Sequence, residues 1–512
     1  MTVSGYHEEP SSRRTAWRSR ARGGPIVFLL YDQVMKPIPL PPEILAVAEA
    51  ITAAGGRALL VGGTVRDRLF AELDSEGMAD TPAADDYDVE VYGLELSRLE
   101  EVLASFGEVI SVGRSFGVFM IKGLFPGDGP ACSFSLPRRD NKVGRGHRGF
   151  QVELDPGLDF EEAARRRDLT MNSMGIEIPG GQLEDPHGGQ ADIEAGIMRA
   201  TDSVHFSEDP LRGLRVAQFA SRFPGLKPDR ELVELCAALE LSELPGERLL
   251  EEFKKLLLKG ERPSLGLDFL LSSGLLRFFP ELESMVGVPQ DAQWHPEGTV
   301  WEHTLMVVDE AAAARLGSGS EEEDLIVMFA ALCHDLGKPA TTVEVEGRVR
   351  SPNHEREGIE PTRSFLGRLM APSALVAAVE VLVQDHLAPA NFTSQNASPR
   401  AYRRLARRLD AGAMNAKILF RLAEADHFGR GTPDALAREF PAGEEFLRQV
   451  ELLELEDAGE PDVVLGRHLI ERGLDPGPGF GEVLERCREL QDETGWKDPG
   501  QILERYFSEN PA

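Results

Sequence analysis

The chain has 512 residues, of which 42% are hydrophobic and 28% charged, and its formal net charge is −31. That length accommodates three or four domains with buried cores, and the acid excess excludes a general nucleic-acid binder with a broadly basic surface. No apolar run is long enough to cross a bilayer, so no membrane partner is expected. The cysteines Cys132, Cys236, Cys333 and Cys487 lie far apart and form no C-x-x-C. This pattern fits reduced thiols in a cytoplasmic protein rather than a disulfide framework or a cysteine zinc site.

Residues 1–38 differ in composition from the rest of the chain. Arg13, Arg14, Arg18, Arg20 and Arg22 sit among Ser, Gly and Pro, and the apolar run Ile26 to Leu30 is too short for a secretory core. The expectation is a leader that is either disordered or the product of an upstream start, with Met35 preceding the first domain. From Pro41 a helix leads to an apolar run, Leu59-Leu60-Val61, and a turn, Gly62-Gly63-Thr64-Val65-Arg66-Asp67. Glycines let backbone amides approach a phosphate because no Cβ intervenes. A helix and an acidic loop then lead to Asp86-Tyr87-Asp88-Val89-Glu90-Val91. A strand sends alternate residues to opposite faces, so the acids share one face and the apolar residues the other. Either half alone is an ordinary turn or a solvated strand. Together, about one helix apart, they suit a nucleoside triphosphate with magnesium.

The form G-G-x-V-R-D followed by D-x-D resembles the nucleotidyltransferase superfamily, in the branch of tRNA nucleotidyltransferases and bacterial poly(A) polymerases. The resemblance implies Asp86 and Asp88 as the Mg2+-holding catalytic pair, with Gly62, Gly63 and Arg66 at the triphosphate. Glu90 is left a weaker candidate.

Further along, Leu94 to Phe106 reads as a helix and Val118 to Lys122 as a strand, which makes this an α/β head with a small mixed sheet. Arg138, Arg139, Lys142, Arg145, His147 and Arg148 form a basic loop, either solvated or phosphate-contacting. From about Phe160 the pattern is mainly helical. Arg166-Arg167-Asp168-Leu169-Thr170-Met171-Asn172 reads locally as a capped helix start. It also resembles the family's R-R-D-x-T-x-N motif, which implies nucleotide contacts by Arg167, Asp168 and Asn172. Met171 and Ser173 replace the more usual Ile and Ala. Asp185-Pro186-His187-Gly188-Gly189 resembles a flexible hinge motif.

Ser207-Glu208-Asp209-Pro210-Leu211-Arg212 combines a candidate cap, Ser207, with Pro in the first turn of a periodic helix. Asp209 and Arg212, three apart, share a helical face. One reading is a surface ion pair of small value. The other rests on base edges: cytosine and adenine each offer an amino group beside a ring-nitrogen acceptor. Asp can accept from the first while Arg donates to the second, whereas uracil and guanine reverse both contacts. This matches the E-D-x-x-R motif of class II tRNA nucleotidyltransferases. Glu247 and Arg248 read as scaffold.

Six of the chain's eleven histidines fall between His295 and His427. His303, His334-Asp335 and Asp426 suggest a divalent metal site of imidazole and carboxylate. They resemble the H…HD…D pattern of HD phosphohydrolase domains. His354 and His386 would extend the site, and Asp385 is an alternative acid to Asp426. The metal is either a divalent transition ion or Mg2+, and its water would serve phosphoester hydrolysis. The helix Ser398 to Leu409 carries Arg400, Arg403, Arg404, Arg407 and Arg408 on neighbouring positions, equally suited to a solvated face or an RNA contact.

The expected architecture is α+β. After the leader come a nucleotidyltransferase head at 39–180, a helical neck at 181–285 for nucleotide and RNA binding, an HD domain at 290–430 and a helical end at 431–512. The resemblance implies addition or repair of the 3′-terminal CCA of tRNA with CTP and ATP, plus HD hydrolysis. The rivals are a poly(A), A-only or CC-only enzyme of the same family, and an HD phosphohydrolase whose head only binds RNA. The oligomeric state is left open.

Overall fold

The computed structural model of the chain describes residues 40–73, 86–111, 117–125, 127, 129–142, 150–317 and 320–510. The expected leader, the central part of the acidic loop, Arg145, His147, Arg148, and Ser318 with Gly319 lie outside these residues.

The head opens with α1 (Pro42–Ala53), which has Pro in its first turn and buries Ile44, Val47, Ala48 and Ile51, a one-face spacing. It leads into β1 (Arg57–Val61), the glycine turn and α2 (Gly63–Leu73). Next come β2 (Asp86–Tyr92), α3 (Leu96–Ala104), β3 (Glu108–Ser111), β4 (Val118–Lys122) and β5 (Ala131–Ser135). A separate hairpin, β6 (Arg138–Lys142) with β7 (Phe150–Leu154), precedes α4 (Phe160–Arg165), and β8 (Gly175–Ile178) and β9 (Leu183–Glu184) come after it. The main sheet has seven strands in the order β3-β4-β5-β2-β1-β8-β9. Within it only the β2–β5 pair is parallel. Val61 stands opposite Asp88 in the register, so the end of β1 delivers the glycine turn beside the acidic strand.

The alternation expected in β2 holds for side-chain direction. Tyr87, Val89 and Val91 join the main core, whereas Tyr92 joins Leu59, Val61, Phe160, Ala163 and Ala164 beneath α4. Depth changes along the acidic face, where Asp86 and Asp88 are exposed but Glu90 is buried.

Two local expectations are corrected. Part of the expected basic loop, Arg138–Lys142, is a strand paired with β7. The segment after Phe160 returns to the sheet through β8, because Gly175 lets the backbone close on Phe160 and Leu59. A Cβ there would come within 2.8 Å of the Phe160 ring.

Beyond the sheet the chain is helical, with α5 (Gly189–Ala195), α6 (Ser203–Phe206) and α7 (Leu211–Arg222) beginning the neck. The expected hinge at Asp185–Gly189 is a seated turn. Asp185 accepts from the amides of Gly189 (2.7 Å) and Gln190 (2.9 Å), and a Cβ on Gly189 would lie 2.3 Å from the Thr170 carbonyl oxygen. One contiguous core runs from α1 through the neck and the histidine-bearing helices to Leu455. Phe253, Phe279 and Phe365 pack edge to face where neck meets bundle. A separate core of Val464, Leu469, Cys487, Leu490, Ile502 and Leu503 holds the last helices together.

Those last helices meet the body through charge. Arg400 pairs with Glu493 (2.6 Å), Arg403 with Glu460 (3.5 Å), Arg404 with Glu489 (3.6 Å) and Arg407 with Asp492 (2.9 Å), while Arg408 turns to Asp385 (2.6 Å) within the body. The arginine helix Pro399–Ala411 is therefore engaged within the chain, with Arg404 and Arg408 still partly exposed. All four cysteines are buried and free. Among the described residues no helix is long and apolar enough to cross a membrane.

Candidate active sites

In the head, Gly62 takes φ +79°, a conformation that favours glycine. A Cβ placed there would lie 3.6 Å from Arg167 Nη1 and 3.9 Å from Asp88 Oδ2. The missing side chain thus leaves a gap bounded by a cation and a carboxylate. Thr64 Oγ1 donates to the Asp86 carbonyl (3.0 Å), which ties the start of β2 to the turn. Ser133, opposite Asp88 on β5, donates to its Oδ1 (2.6 Å). The second carboxylate oxygen and the exposed Asp86 provide the hard oxygen donors that magnesium prefers.

Glu90 anchors this arrangement. Its carboxylate accepts from Arg166 Nη2 (3.0 Å), Arg167 Nη2 (3.2 Å) and the Tyr92 hydroxyl (2.9 Å). Burial opposes its ionisation, but Arg167 and Arg166 hold its carboxyl below the usual range. One nitrogen of Arg167 is thereby fixed while the other faces Gly62.

The other expected head residues turn inward. Arg66 is 4% exposed. It donates to Asn172 Oδ1 (2.7 Å) and Asp67 Oδ1 (2.8 Å), and its guanidinium lies 5.1 Å and 4.9 Å from the ring centroids of Phe219 and Phe223. Burial lowers its pKa. Asp168 accepts from Leu169 N (2.8 Å), Asn172 Nδ2 (2.9 Å) and Arg215 Nε (2.6 Å). Against the cost of burial, Arg215 and Asn172 bring its carboxyl to about 2. The expected helix start at 166–172 is instead a 3-10 turn, Thr170–Asn172, because the Asp168 side chain takes the amide of Leu169.

In the neck no ion pair joins Asp209 to Arg212 among the described residues. Asp209 Oδ2 pairs with Arg248 Nη2 (3.3 Å), and its Oδ1 accepts from Leu211 N (3.1 Å). Asp209 therefore takes the capping role expected of Ser207, which donates instead to the Ser203 carbonyl. Arg212 donates to the carbonyls of His205 and Arg166, and burial lowers its pKa. These contacts hold it against the arginine turn of the head.

The histidine site draws on helices Val300–Ala313, Glu321–Cys333, Ser373–Asp385 and Ala416–Phe428 and the turn at His354. His303, His334, Asp335, His354, His386 and Asp426 are all buried. His303 Nε2 lies 3.1 Å from Asp426 Oδ1, His334 Nε2 3.2 Å from Asp335 Oδ2, and His354 Nε2 3.4 Å from Asp335 Oδ1. Potential donor atoms of His303, His334 and Asp335 lie within 4.8 Å of one another, as do those of Asp335, His354 and His386.

Three rings share a lock. Nδ1 of His334, His354 and His386 lies 2.8, 2.8 and 2.7 Å from the carbonyl three residues back. A carbonyl only accepts, so Nδ1 carries a proton and Nε2 is the nitrogen left to face the centre of the cluster. Nε2 of His334 and His354 and Oδ1 of Asp335 are buried without a hydrogen-bond partner, while Asp335 Oδ2 pairs with Lys338 Nζ (2.7 Å). Such orphaned donors, mixing imidazole with carboxylate, fit a divalent transition metal.

Burial, reinforced by the charges of His354 and His334, lowers the pKa of His386 to about 3. Despite burial, His334 and Lys338 hold Asp335 far below the carboxylate range, and Arg430 with His303 does the same for Asp426. A cavity of about 250 Å³ opens over the cluster, with Lys338, Arg350 and Arg430 in its wall. The alternative acid, Asp385, is turned to Arg408, and His427 stacks on Phe440.

Comparison with known proteins matches both the head and the histidine-bearing region. The family profile described as "Poly A polymerase head domain" matches residues 58–199, and "HD domain" matches 300–421. "Probable RNA and SrmB- binding site of polymerase A" matches 230–286. The multifunctional CCA protein of Stenotrophomonas maltophilia (strain K279a) is 36% identical over 440 residues, which are 84% of this chain and 97% of that one. The chain belongs to the multifunctional CCA protein family. A second member, from Methylococcus capsulatus (strain ATCC 33009 / NCIMB 11132 / Bath), is 35% identical over 446 residues, covering 84% of this chain and 93% of its own. Among solved structures, the Bacillus stearothermophilus CCA-adding enzyme in complex with CTP aligns with a TM-score of 0.60 at 21% identity. That alignment covers 91% of this chain and 98% of the other. The Thermotoga maritima enzyme complexed with tRNA gives 0.54 at 17%, over 93% and 97%. At these identities the structures establish the shared fold.

In this member of the multifunctional CCA protein family, several residues beside the two sites escaped the sequence reading. Ser133 has no local signal, because only the β2–β5 register brings it to Asp88. Lys338 stands three residues after Asp335 and Arg430 four after Asp426, spacings that bring each pair within reach and could have been read. Glu297 and His295 share the segment Trp294-His295-Pro296-Glu297, close enough to His303 to have been noticed.

Proposed function

We propose that this chain adds or repairs the CCA end of tRNA with CTP and ATP in its head and neck, and hydrolyses phosphoesters at its histidine cluster. The observation that carries the first activity is the gap at Gly62, bounded by Arg167 on one side and Asp88 on the other. Asp86 and Asp88 would hold magnesium, whose charge assists deprotonation of the tRNA 3′-hydroxyl and steadies the triphosphate. Gly62 and Gly63 admit the phosphates against the backbone, and Arg167, braced by Glu90, neutralises them. The 3′-oxygen displaces pyrophosphate from the α-phosphate, which extends the RNA by one nucleotide.

Base choice is assigned to the neck, where Asp209 accepts from the amino group and Arg212 donates to the ring nitrogen of cytosine or adenine. Arg248 holds Asp209. Asp168 and Asn172, held in place by Arg215 and Arg66, would contact the incoming nucleotide's ribose, since each oxygen keeps a further lone pair beside the one its arginine uses. In the second site His303, His334, Asp335 and Asp426 would hold a divalent ion, with His354 and His386 extending the set. Such an ion activates water toward a phosphoester, and Lys338 and Arg430 place positive charge beside the phosphate.

The test is extension of tRNA lacking its end with each nucleoside triphosphate supplied singly and then in pairs. Incorporation of C, C and then A is expected. Incorporation of U or G overturns the assignment to Asp209 and Arg212, and long A tracts favour the poly(A) polymerase rival. If Asp86→Ala leaves addition intact, the head assignment fails.

A further inference from the structure

Glu297 precedes the helix that carries His303, and its side chain is 4% exposed. One oxygen, Oε1, is hydrogen-bonded to His295 Nδ1 (2.9 Å) and lies 2.9 Å from His303 Nδ1, a buried nitrogen that makes no hydrogen bond and has this carboxylate beside it. The other, Oε2, accepts from Gly431 N (2.9 Å). The two imidazoles meet edge to face with centroids 4.6 Å apart. His303 directs its remaining nitrogen to Asp426 and Asp335, at 3.1 Å and 3.9 Å. His295 lines the cavity over the cluster, and with Nδ1 engaged by Glu297 its Nε2 is the nitrogen left to face that space.

His303 thus differs from its three companions. Their Nδ1 atoms are hydrogen-bonded to neutral main-chain carbonyls, whereas the group beside Nδ1 of His303 is a carboxylate at ion-pair distance. An anionic partner fixes the ring and raises the basicity of the opposite nitrogen, which strengthens a metal ligand. Oε1 serves two rings at once, so the orientations of metal ligand and cavity wall are set together.

We propose that Glu297 is a positioning residue that turns His303 toward the metal and His295 toward the attacking water, with His295 Nε2 accepting a hydrogen bond from that water. The proposal rests on the metal-dependent reading of the histidine site. A buried carboxylate between two histidines that serves packing alone would leave metal affinity and turnover unchanged when replaced by an isosteric amide.

The experiment uses the full chain, stripped with chelator and titrated with Co2+ while the d–d absorption is followed. If the unaltered protein binds no Co2+, the metal reading itself fails. If it binds, Glu297→Gln is expected to weaken Co2+ affinity by roughly 10–100-fold and alter the band intensities. Glu297→Asp should recover part of that loss. His295→Ala should keep Co2+ affinity within about twofold, while kcat for bis(p-nitrophenyl) phosphate falls about tenfold or more at unchanged KM. Retained tRNA extension by the head shows that each variant is folded. Equal Co2+ affinity in Glu297→Gln and the unaltered protein overturns the proposal. So does loss of Co2+ binding in His295→Ala, which would make the His295, Glu297 and His303 trio a metal site of its own.

Discussion

The two candidate sites are built in opposite ways. The head keeps Asp86 and Asp88 at the surface and buries the group behind them, Glu90, which fixes the arginines. The histidine site buries its candidate ligands and leaves charge at the cavity wall. An open carboxylate pair suits an ion that arrives with a triphosphate, since magnesium keeps part of its water and shares its sphere with phosphate oxygens. A dry cluster with orphaned Nε2 atoms suits a resident ion whose ligands are already oriented.

The sharpest way to break this contrast is to remove one carboxylate of the head. Asp86→Ala or Asp88→Ala should lower nucleotide incorporation by on the order of 10³-fold, a loss of several kcal/mol of transition-state stabilisation. Phosphoester hydrolysis should be unchanged, and parallel loss of both activities would show that the sites are not separable. The converse is Asp335→Asn, which should lower hydrolysis by ~10²-fold or more and reduce the metal retained after gel filtration. Extension of tRNA in added magnesium should persist. If dialysis against a mild chelator removes hydrolysis no faster than it removes addition, the resident-ion reading fails.

A smaller effect is expected from the neck. Asp209→Ala should reduce the kcat/KM preference for CTP over UTP by on the order of 10–100-fold, the consequence of losing a half-buried acceptor. Competition assays with paired nucleotides would measure it, and an unchanged ratio would move base choice elsewhere.

The smallest effect concerns pH. Asp168 has a folded pKa of about 2 against a usual 3.8. Its contribution of about 2 kcal/mol is therefore present above the usual value and lost as pH falls through the folded one. Urea midpoints between pH 5 and pH 2 should fall more steeply in the unaltered protein than in Asp168→Asn.

Much of this was legible because it is local. The glycine turn, the alternation in Asp86–Val91 and the first helix come from short-range pattern. His303, His334 and Asp335 likewise stand out against apolar helices. What escaped is set by distant partners. Alternation states the face of Glu90 but not its depth, which depends on Arg166 and Arg167 closing over it. The four-residue strand β8 has too few positions to show a period, and it pairs with β1 more than a hundred residues earlier. Nothing local separates Asp426 from Asp385. The fold separates them by sending one to His303 and the other to Arg408.

The arginine helix Pro399–Ala411 has a consequence for association. Its five arginines engage Glu493, Glu460, Glu489, Asp492 and Asp385, in a chain whose formal charge is −31. Much of the surface therefore repels a polyanion. An approaching RNA would be turned away from most orientations and admitted in a small number, so the charge distribution acts as an orientation filter before any specific contact forms.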